Sequence, residues 1–288
     1  MKILVTGGAG FVGTNLIKRL LKDGHIVIST DNYSTGLKEN EQDECDYWDV
    51  DLCRNYWPAL LGKVDIIYHL AALPRIQPSL EDPGFCIKNN FLSTLNVLEY
   101  ARKKDIPVIY SGSSSVNYGI YNSPYSWSKH SGEELCALYK IVYGTLISVC
   151  RFYNVYGEHQ IEDGEYSTVV GVFKKQYENG ESLTITGDGK QKRDFTHIDD
   201  IVDGLVKMSL IKENKAKVFE FGRGINFTIN EIANMFGEHY PKEYIKSRKG
   251  EYPETLCNDN FAEKYLGWYP KRNLYDYIKS ITNKKAVA

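Results

Sequence analysis

The stretch KILVTGGAGFVG, residues 2–13, decides the fold of this chain. Residues 2–6 form a short apolar run, which is typical of a buried strand, and a glycine-rich turn follows directly. From Phe11 to Asp23 the apolar residues recur at helical spacing. The stretch therefore predicts a strand, a tight turn and a helix.

The glycines of this turn are spaced for a phosphate site. Gly7 permits the turn, Gly10 lets the backbone approach a pyrophosphate, and Gly13 lets helix and strand pack closely. The helix N-terminus adds the positive end of a dipole. Asp31 ends the next predicted strand, where a carboxylate binds both ribose hydroxyls and repels a 2′-phosphate. We predict a site for NAD rather than NADP; a structural glycine turn beside a surface aspartate is the alternative.

Short β-rich runs recur along the chain, with helical stretches between most of them, at residues 26–30, 65–70, 107–111, 146–150 and 217–221. This alternation predicts an α/β fold with a Rossmann-type doubly wound parallel sheet. We expect an NAD-binding domain from residues 1–165 and 196–222. A smaller, interleaved C-terminal substrate domain would comprise residues 166–195 and 223–288, because the strand at 217–221 returns to the sheet.

Two further strand ends predict contacts to the dinucleotide. Asp51 and Leu52 follow the predicted third strand, where an acid suits the adenine amino group and a leucine packs on the ring. Leu70, Ala71 and Ala72 close the fourth strand, where small residues let a cofactor cross the strand ends. The neighbouring His69 is predicted to be a packed strand residue rather than a base.

A tyrosine and a lysine with YxxxK spacing, Tyr125 and Lys129, form a candidate catalytic pair. The same spacing recurs at Tyr100/Lys104 and at Tyr275/Lys279, so spacing alone decides nothing. Tyr125 differs in context, because it follows the fifth strand and its serines, which end at the crevice where the strand order reverses. The other two pairs fall on amphipathic helices and are predicted to be structural.

Local sequence places Tyr125 at the start of a helix. Ser123 and Pro124 resemble an N-cap and a first helical residue, with Lys129 one turn beyond Tyr125 on the same face. Lowering a tyrosine pKa from about 10 to about 7 requires roughly 4 kcal/mol. We expect a nearby ammonium, a nicotinamide cation and the helix N-terminus to supply it jointly, which would make Tyr125 a usable base.

Composition excludes several classes of function. At 288 residues the chain fits one large unit or two small ones sharing a cleft, and a net charge of −2 gives no general reason to bind nucleic acid. No apolar run reaches the length of a signal peptide or a membrane span, so a cytoplasmic protein without membrane contact is expected. The six cysteines lack CxxC spacing, which predicts reduced thiols and no metal site.

Seven motifs in order resemble the extended short-chain dehydrogenase/reductase family, and more narrowly its NAD-dependent nucleotide-sugar epimerases and dehydratases. They are GGAGFVG, DNYSTG, HLAA, the serines before YxxxK, RFYNVYG, GDGKQKRDF, and RKGE followed by LGW. The resemblance covers nearly the whole chain. It implies an NAD cofactor, a nucleotide-sugar substrate, most simply a UDP-sugar, and a homodimer paired through helices near residues 84–104 and 125–143.

The resemblance also implies roles for individual residues. Ser113 would hold the sugar 4-hydroxyl beside Tyr125, and Lys129 would bind the nicotinamide ribose. The predicted cofactor set is Gly7, Gly10, Phe11, Val12, Gly13, Asp31, Asn32, Ser34, Thr35, Gly36, Asp51, Leu52, Leu70, Ala71, Ala72, Asn90, Ser111, Tyr125, Lys129 and Phe152. The predicted substrate set is Ser113, Tyr125, Asn154, Arg193, Arg248, Glu251 and Thr255.

The serine cluster favours one reaction over another. Dehydratases of the resembled family place an acid pair directly after the catalytic hydroxyl residue, whereas this chain has Ser114 and Ser115. A 4-epimerase acting through a transient 4-keto sugar is therefore the preferred interpretation. At Thr255 the epimerases use a bulky residue to exclude an N-acetyl group or a small one to admit it, and a threonine leaves room.

Some departures from the pattern keep alternatives open. Only residues 114–124 separate Ser113 from Tyr125, a shorter loop than the resembled family has, and the register of the serines allows Ser114 in place of Ser113. Glu158 replaces the proline expected after RFYNVYG. A dehydratase or decarboxylase of the same family, or a non-catalytic NAD-binding regulator, are the alternatives.

Overall fold

The computed structural model of the chain describes residues 1–54, 57–211, 213 and 218–287. The strands are β1 Lys2–Thr6, β2 Ile26–Asp31, β3 Asp46–Asp49, β4 Ile66–His69, β5 Val108–Ser113, β6 Ile147–Phe152, β7 Val155–Tyr156, β8 Leu183–Thr186, β9 Lys192–Asp194, β10 Thr196–His197, β11 Val218–Phe221, β12 Asn226–Thr228 and β13 Lys242–Ile245. The helices are α1 Phe11–Lys22, α2 Pro58–Leu61, α3 Ile76–Glu81, α4 Pro83–Lys104, α5 Pro124–Tyr143, α6 Val169–Asn179, α7 Ile198–Met208, α8 Ile229–Met235, α9 Phe261–Leu266 and α10 Leu274–Val287.

The central sheet has the predicted doubly wound architecture. Over the described residues it contains seven strands in the order β3-β2-β1-β4-β5-β6-β11, all parallel. The chain starts in the middle at β1 and winds outward in both directions. The strand order therefore reverses between β1 and β4, and a crevice opens there at the carboxyl ends of the strands.

The strand ends at this crevice differ from the sequence-based prediction. β5 extends to Ser113 rather than ending at residue 111, and β6 extends to Phe152 rather than to residue 150. The two strands continue because Gly112 pairs with Arg151 and Ser113 pairs with Phe152. The extension carries Ser113 to the end of its strand. Of the predicted strand at 217–221, residue 217 lies outside the described residues.

Two apolar clusters cover the two faces of the central sheet. One packs α1 and α7 on it, with Leu16, Ile201 and Phe221 fully buried. The other packs α4 and α5, with Trp57 and Val97 fully buried. A parallel sheet needs helices on both faces, because its strands are apolar on both sides.

A third apolar cluster lies in the C-terminal part of the chain. It joins α6, β8, α8 and α10 through residues such as Phe173, Ile185, Ile232 and Ile278. With the exception of Tyr156, its buried members fall within residues 166–195 and 223–288. We propose this cluster as the core of the predicted substrate domain. Trp268 departs from that division, because it packs with the first cluster, on Phe221 at 4.6 Å between ring centroids.

Strand β1 and helix α1 meet through backbone atoms at the glycine turn. A Cβ at Gly13 would lie 2.1 Å from the Gly7 carbonyl oxygen and 2.7 Å from the Gly8 Cα. Gly7 itself has φ +73, a conformation that side chains disfavour. The predicted roles of these two glycines, a tight turn and close packing, therefore match the geometry.

We predict that Gly13→Ala weakens the fold and removes bound NAD. The added methyl meets backbone, which cannot move aside, so overpacking should cost roughly 1–3 kcal/mol or more of unfolding free energy. Gly84→Ala is the matched control, because the nearest atom to a Cβ there is 3.8 Å away. Thermal denaturation and the NAD content of purified protein measure both effects. Equal stability and NAD content in the two variants would contradict the prediction.

Candidate active site

A cavity of about 510 Å³ opens at the carboxyl ends of β1, β2, β4 and β5. This volume lies within the range of small-molecule sites. The glycine turn of residues 7–13 lines one end, Tyr125 and Lys129 line the middle, and Arg193, Arg248 and Glu251 line the side formed by the C-terminal segments. The cavity thus joins the two predicted binding regions.

The turn before α1 has the features of a phosphate site. Gly10 is the N-cap of α1, and it has no side chain with which to cap the helix. The first N–H groups of the helix therefore have no side-chain acceptor, and the dipole favours an anion there. Gly7, Gly10 and Gly13 all line the cavity. These residues fit the pyrophosphate of a dinucleotide.

Asp31 stands at the end of β2 with its carboxylate anchored. Oδ2 accepts a hydrogen bond from the Ala9 N–H at 2.9 Å, and Oδ1 accepts one from the Tyr33 N–H at 2.9 Å. Burial raises the pKa of this carboxyl, and the backbone N–H groups act in the opposite direction. Gly36 is packed behind it, because an added Cβ would lie 3.0 Å from both carboxylate oxygens. The arrangement suits a ribose diol.

The side chain of Asn90, in α4, anchors the loop that follows β4. Its side-chain oxygen accepts from the Leu73 N–H at 2.7 Å, and its amide nitrogen donates to the Leu73 carbonyl at 3.2 Å and to Ser128 Oγ at 2.9 Å. Asn90 lines the cavity, and its amide positions this loop. His69 is packed, as expected: it hydrogen-bonds Thr6 and Thr94, and burial lowers its pKa to about 3.

Tyr125 occupies the first turn of α5, as the sequence predicts. Ser123 caps the helix by accepting from the Ser126 N–H at 3.1 Å, and the Tyr125 N–H donates to Ser79 Oγ at 3.1 Å. Burial raises the pKa of the Tyr125 phenol, whereas a hydrogen bond from Ser113 and the charge of Arg75 lower it. Arg75 is thus a cation that opposes the effect of burial on the phenol. The joint lowering expected from Lys129, a nicotinamide cation and the helix N-terminus stays a prediction.

Of the serines at 113–115, Ser113 is the one whose hydroxyl lowers the pKa of the Tyr125 phenol, and this supports the register preferred from the sequence. Ser113 Oγ also lies 2.9 Å from Ser115 Oγ and caps the turn that follows β5. Ser114 is buried and lines the cavity without a role in the tyrosine hydrogen bond. The structure thus brings a hydroxyl residue and the phenol together at one point of the cavity.

Lys129 is a buried cation, with only 3% of its surface exposed. Burial lowers the pKa of its ammonium to about 8, and Glu133 opposes this shift. The Nζ atom lies 4.8 Å from the centroid of the Tyr110 ring, where the aromatic face stabilises a cation. The ammonium also lines the cavity, where it can donate to a ligand.

The predicted substrate residues line the opposite wall. Asn154, in a backbone conformation with φ +25, donates to Thr255 Oγ1 at 3.2 Å and to the Asp194 carbonyl at 2.7 Å. Arg193 Nη2 lies 3.9 Å from Glu251 Oε2, and burial lowers the pKa of its guanidinium. Two guanidiniums, Arg193 and Arg248, can therefore face a diphosphate from this wall.

Most of the predicted site residues come together in the cavity. The lining includes Gly7, Gly10, Phe11, Val12, Gly13, Asp31, Asn32, Ser34, Thr35, Asp51, Leu52, Leu70, Ala71, Ala72, Asn90, Ser111, Ser113, Tyr125, Lys129, Phe152, Asn154, Arg193, Arg248, Glu251 and Thr255. Gly36 is the exception: it does not belong to the described lining, but it packs against the Asp31 carboxylate. Neither alternative tyrosine, Tyr100 or Tyr275, belongs to the described lining.

Sequence reasoning missed Arg75, Ser79, Tyr166 and Tyr252. Arg75 and Tyr166 line the cavity, and the Arg75 Nε donates to the Tyr166 carbonyl at 3.1 Å. Tyr252 bonds Ser126 Oγ at 2.8 Å and so joins the C-terminal wall to the start of α5. A signal for Arg75 existed, because it follows HLAA by a few residues in the loop after a central strand.

Other parts of the molecule bear on the remaining expectations. All six cysteines are free thiols. Within the described ranges no group of three His, Cys, Asp or Glu residues is arranged to hold a metal ion. A search of the helices in the same ranges finds none long and apolar enough to cross a membrane.

Comparisons with known proteins agree on one family. The sequence profile of the NAD dependent epimerase/dehydratase family matches residues 3–222. A putative UDP-glucose 4-epimerase of Methanocaldococcus jannaschii is 32% identical over 98% of this chain and 97% of its own. The UDP-glucose 4-epimerase of Thermotoga maritima, solved with UDP-glucose, superposes with a TM-score of 0.90 at 29% identity, covering 100% of both chains.

A second solved structure contains the cofactor. The UDP-glucuronic acid 4-epimerase of Bacillus cereus, in complex with UDP-glucuronic acid and NAD, superposes with a TM-score of 0.89 at 30% identity, again over 100% of both chains. The predicted Rossmann-type fold is confirmed by these likenesses together with the sheet order.

We predict that Lys129 makes stability rise with pH above neutrality. Its pKa is about 8 in the folded chain against 10.5 as the ordinary value, so between these values the unfolded chain binds more protons. Unfolding free energy attributable to Lys129 should therefore rise by about 2 kcal/mol from pH 7.5 to pH 9.5. Urea denaturation of wild type and Lys129→Met at both pH values measures the difference.

The control for this experiment is Lys22→Met, which removes an exposed lysine of α1. Because Lys22 is exposed at the C-terminal end of α1 and lies outside the described cavity lining, this variant should retain the wild-type pH dependence. If Lys129→Met shows the same pH dependence as wild type, the buried ammonium does not titrate as described.

Proposed function

Because the chain belongs to the NAD dependent epimerase/dehydratase family, we propose that it is a 4-epimerase of UDP-sugars acting through a transient 4-keto sugar. It is an NAD-dependent enzyme, and its relatives named above are isomerases. The observation that carries the proposal is the meeting of Ser113 and Tyr125 beside Lys129, with Ser114 and Ser115 where a dehydratase has its acid pair.

The chain's own groups account for proton transfer and orientation. Bound NAD supplies a reversible acceptor for the hydride at C4 of the sugar. Tyr125 takes the proton of the 4-hydroxyl, and Ser113 holds that hydroxyl against the phenol. Lys129 donates to the ribose next to the nicotinamide. Asp31 and the glycine turn hold the adenosine half, through the diol and the pyrophosphate.

The wall formed by the C-terminal segments can hold one end of the substrate while the sugar ring turns over. Arg193, Arg248 and Asn154 would hold the diphosphate, and Glu251 the nucleotide ribose. With the diphosphate held, the 4-keto sugar can turn over in the cavity and receive the hydride on its other face. No net oxidation occurs, so conversion needs no added NAD.

A homodimer and a cytoplasmic location stay predictions. Supporting the dimer, α4 and α5 pack against each other and expose large apolar side chains to the outside. These are Phe85 at 50%, Leu138 at 49%, Ile141 at 81%, Val142 at 58% and Tyr143 at 52% exposure. An exposed apolar surface of this kind suits a helix-paired interface between copies.

We predict that Tyr125→Phe lowers kcat by about 10²–10⁴-fold, because it removes the only proposed acid/base group while keeping the ring. Purified protein is incubated with UDP-glucose without added NAD, and products are followed by NMR and mass spectrometry. An isomer of unchanged mass is expected. Tyr275→Phe is the control, since it alters a half-exposed YxxxK tyrosine outside the described cavity lining.

Two results would contradict the proposed function. Loss of water or CO₂ from a substrate would instead indicate a dehydratase or a decarboxylase. Absence of turnover for every UDP-sugar, although NAD remains bound, would contradict an enzymatic role for the site.

We also predict turnover of UDP-GlcNAc alongside UDP-glucose. Thr255 is small and buried, and its hydroxyl accepts a hydrogen bond from Asn154, which keeps it against the wall. The cavity should therefore accept an N-acetyl group. Comparing kcat/KM for the two substrates tests this, and an enzyme active on UDP-glucose but inactive on UDP-GlcNAc would refute it.

A further inference from the structure

Arg75 lines the cavity and has a strained backbone conformation. It is the N-cap of α3 with φ +87 and ψ 142, a region of backbone space adopted almost solely by glycine. Its side chain lines the cavity, and only the Tyr166 carbonyl accepts a hydrogen bond from it among the described residues. An arginine kept in such a conformation suggests that the side chain has a function.

The guanidinium of Arg75 has no counter-ion in the part of the chain that the structure describes. Across residues 1–54, 57–211, 213 and 218–287, no carboxylate lies within 4.0 Å of it. Burial lowers its pKa, and the phenol of Tyr125 acts in the opposite direction. A cation that is largely withdrawn from water is stabilised when an anion pairs with it, and the cavity that Arg75 lines has room for a bound molecule to supply that anion.

The phosphates of cofactor and substrate have their own sites elsewhere in the cavity. The pyrophosphate of NAD belongs to the glycine turn before α1, and the diphosphate of the substrate belongs to Arg193 and Arg248. That diphosphate is attached to C1 of the sugar, across the ring from C4. The charge of Arg75 lowers the pKa of the Tyr125 phenol, the group proposed to take the proton of the 4-hydroxyl. The anion that reaches Arg75 is therefore carried by the sugar, next to C4.

We propose that Arg75 is a specificity residue that binds a carboxylate carried by a ring carbon adjacent to C4. This inference rests on the proposed 4-epimerase function. Two sugar types offer that chemistry: a hexuronate, whose carboxylate is bonded to C5, and a sugar with an acidic ether on C3. The planar guanidinium can pair with either carboxylate through two parallel hydrogen bonds.

The test compares matched substrates that differ by the carboxylate alone or by the acidic ether. UDP-glucuronate is paired with UDP-glucose, and UDP-N-acetylmuramate with UDP-GlcNAc. In wild type, kcat/KM should favour the acidic member of one pair by about 10- to 100-fold, as expected for a charged hydrogen bond. The pair that shows the preference identifies the carbon that carries the carboxylate.

Arg75→Met should abolish the preference. The ratio of kcat/KM for the acidic substrate to that for the neutral one should fall by about 10- to 100-fold. A change in Tyr125 that slows both substrates equally leaves this ratio unchanged. Arg75→Lys should restore only part of the ratio, because an ammonium lacks the planar fork. Arg102→Met is the control: it removes an arginine of α4 outside the described lining and should keep the wild-type ratio.

A glycine variant guards against a folding defect. Arg75→Gly suits the observed backbone conformation and removes the buried charge, so its Tm should equal or exceed that of wild type while the selectivity is lost. If Arg75→Met and Arg75→Gly both fold and Arg75→Met keeps the wild-type ratio of kcat/KM for the acidic and neutral substrates, the inference is overturned.

Binding separates this inference from the proposed function. Calorimetric titration with UDP-glucuronate and UDP-N-acetylmuramate gives Kd without turnover. If Kd for one of them rises about 10-fold or more in Arg75→Met but no UDP-sugar is converted to its C4 epimer, the inference stands and the proposed function fails. If UDP-glucose is epimerised but neither acidic ligand distinguishes the variants, the proposed function stands and the inference fails.

Discussion

The backbone contact between Gly13 and the Gly7 carbonyl is the constraint on which the rest of the site depends. It lets α1 begin directly over the end of β1, with no side chain in between. That placement aims the positive end of the helix at the crevice and puts the Ala9 N–H within 2.9 Å of Asp31. One glycine contact therefore fixes the phosphate end and the ribose end of the dinucleotide region relative to each other.

Electrostatics at the other end of the cavity depend on burial. The Tyr125 phenol is disfavoured as an anion by its surroundings, and the Lys129 ammonium is disfavoured as a cation. Burial raises the pKa of the phenol above its ordinary value of 10.0 and lowers that of the ammonium from 10.5 to about 8, so it favours the neutral form of each group. Ser113 and Arg75 favour the phenolate from one side. A bound cofactor and sugar complete the surroundings that make proton transfer possible.

The parts of the structure that depend on local pattern were predictable. The glycine turn, the alternation of strands and helices, and the Ser123 cap of α5 all follow from short-range chemistry, and the structure has them where the sequence indicates. The ends of the strands were harder to predict. β5 continues to Ser113 because β6 continues beside it, and no local sequence pattern shows that pairing. The close packing of Gly36 against the Asp31 carboxylate is likewise a tertiary contact that local pattern does not show.

The charge of Arg75 acting on Tyr125 could not be predicted from helical spacing. Arg75 belongs to the loop after β4, and its charge lowers the pKa of the phenol. The joint lowering expected from Lys129, a nicotinamide cation and the helix N-terminus stays a prediction. Helix α3, which begins after Arg75, meets the start of α5 through the hydrogen bond from the Tyr125 N–H to Ser79 Oγ. Spacing along a helix shows which side chains share a face. It does not show what approaches that face from another element.

The segment between Ser113 and Tyr125 is short, and contacts from other parts of the chain bound the cavity where a longer loop would. Tyr118 both donates to and accepts from the Leu256 backbone, at 2.8 Å and 2.6 Å, and Tyr252 bonds Ser126 at 2.8 Å. The C-terminal wall is thereby tied to the middle of the segment and to the first turn of α5. Because α3 also contacts this wall, through Gln77 and the Lys249 carbonyl, the sugar end of the cavity is bounded without a long loop. Arg75, at the start of α3, lines the cavity at this end. In the proposed role, its guanidinium there distinguishes sugars that carry a carboxylate from those that do not.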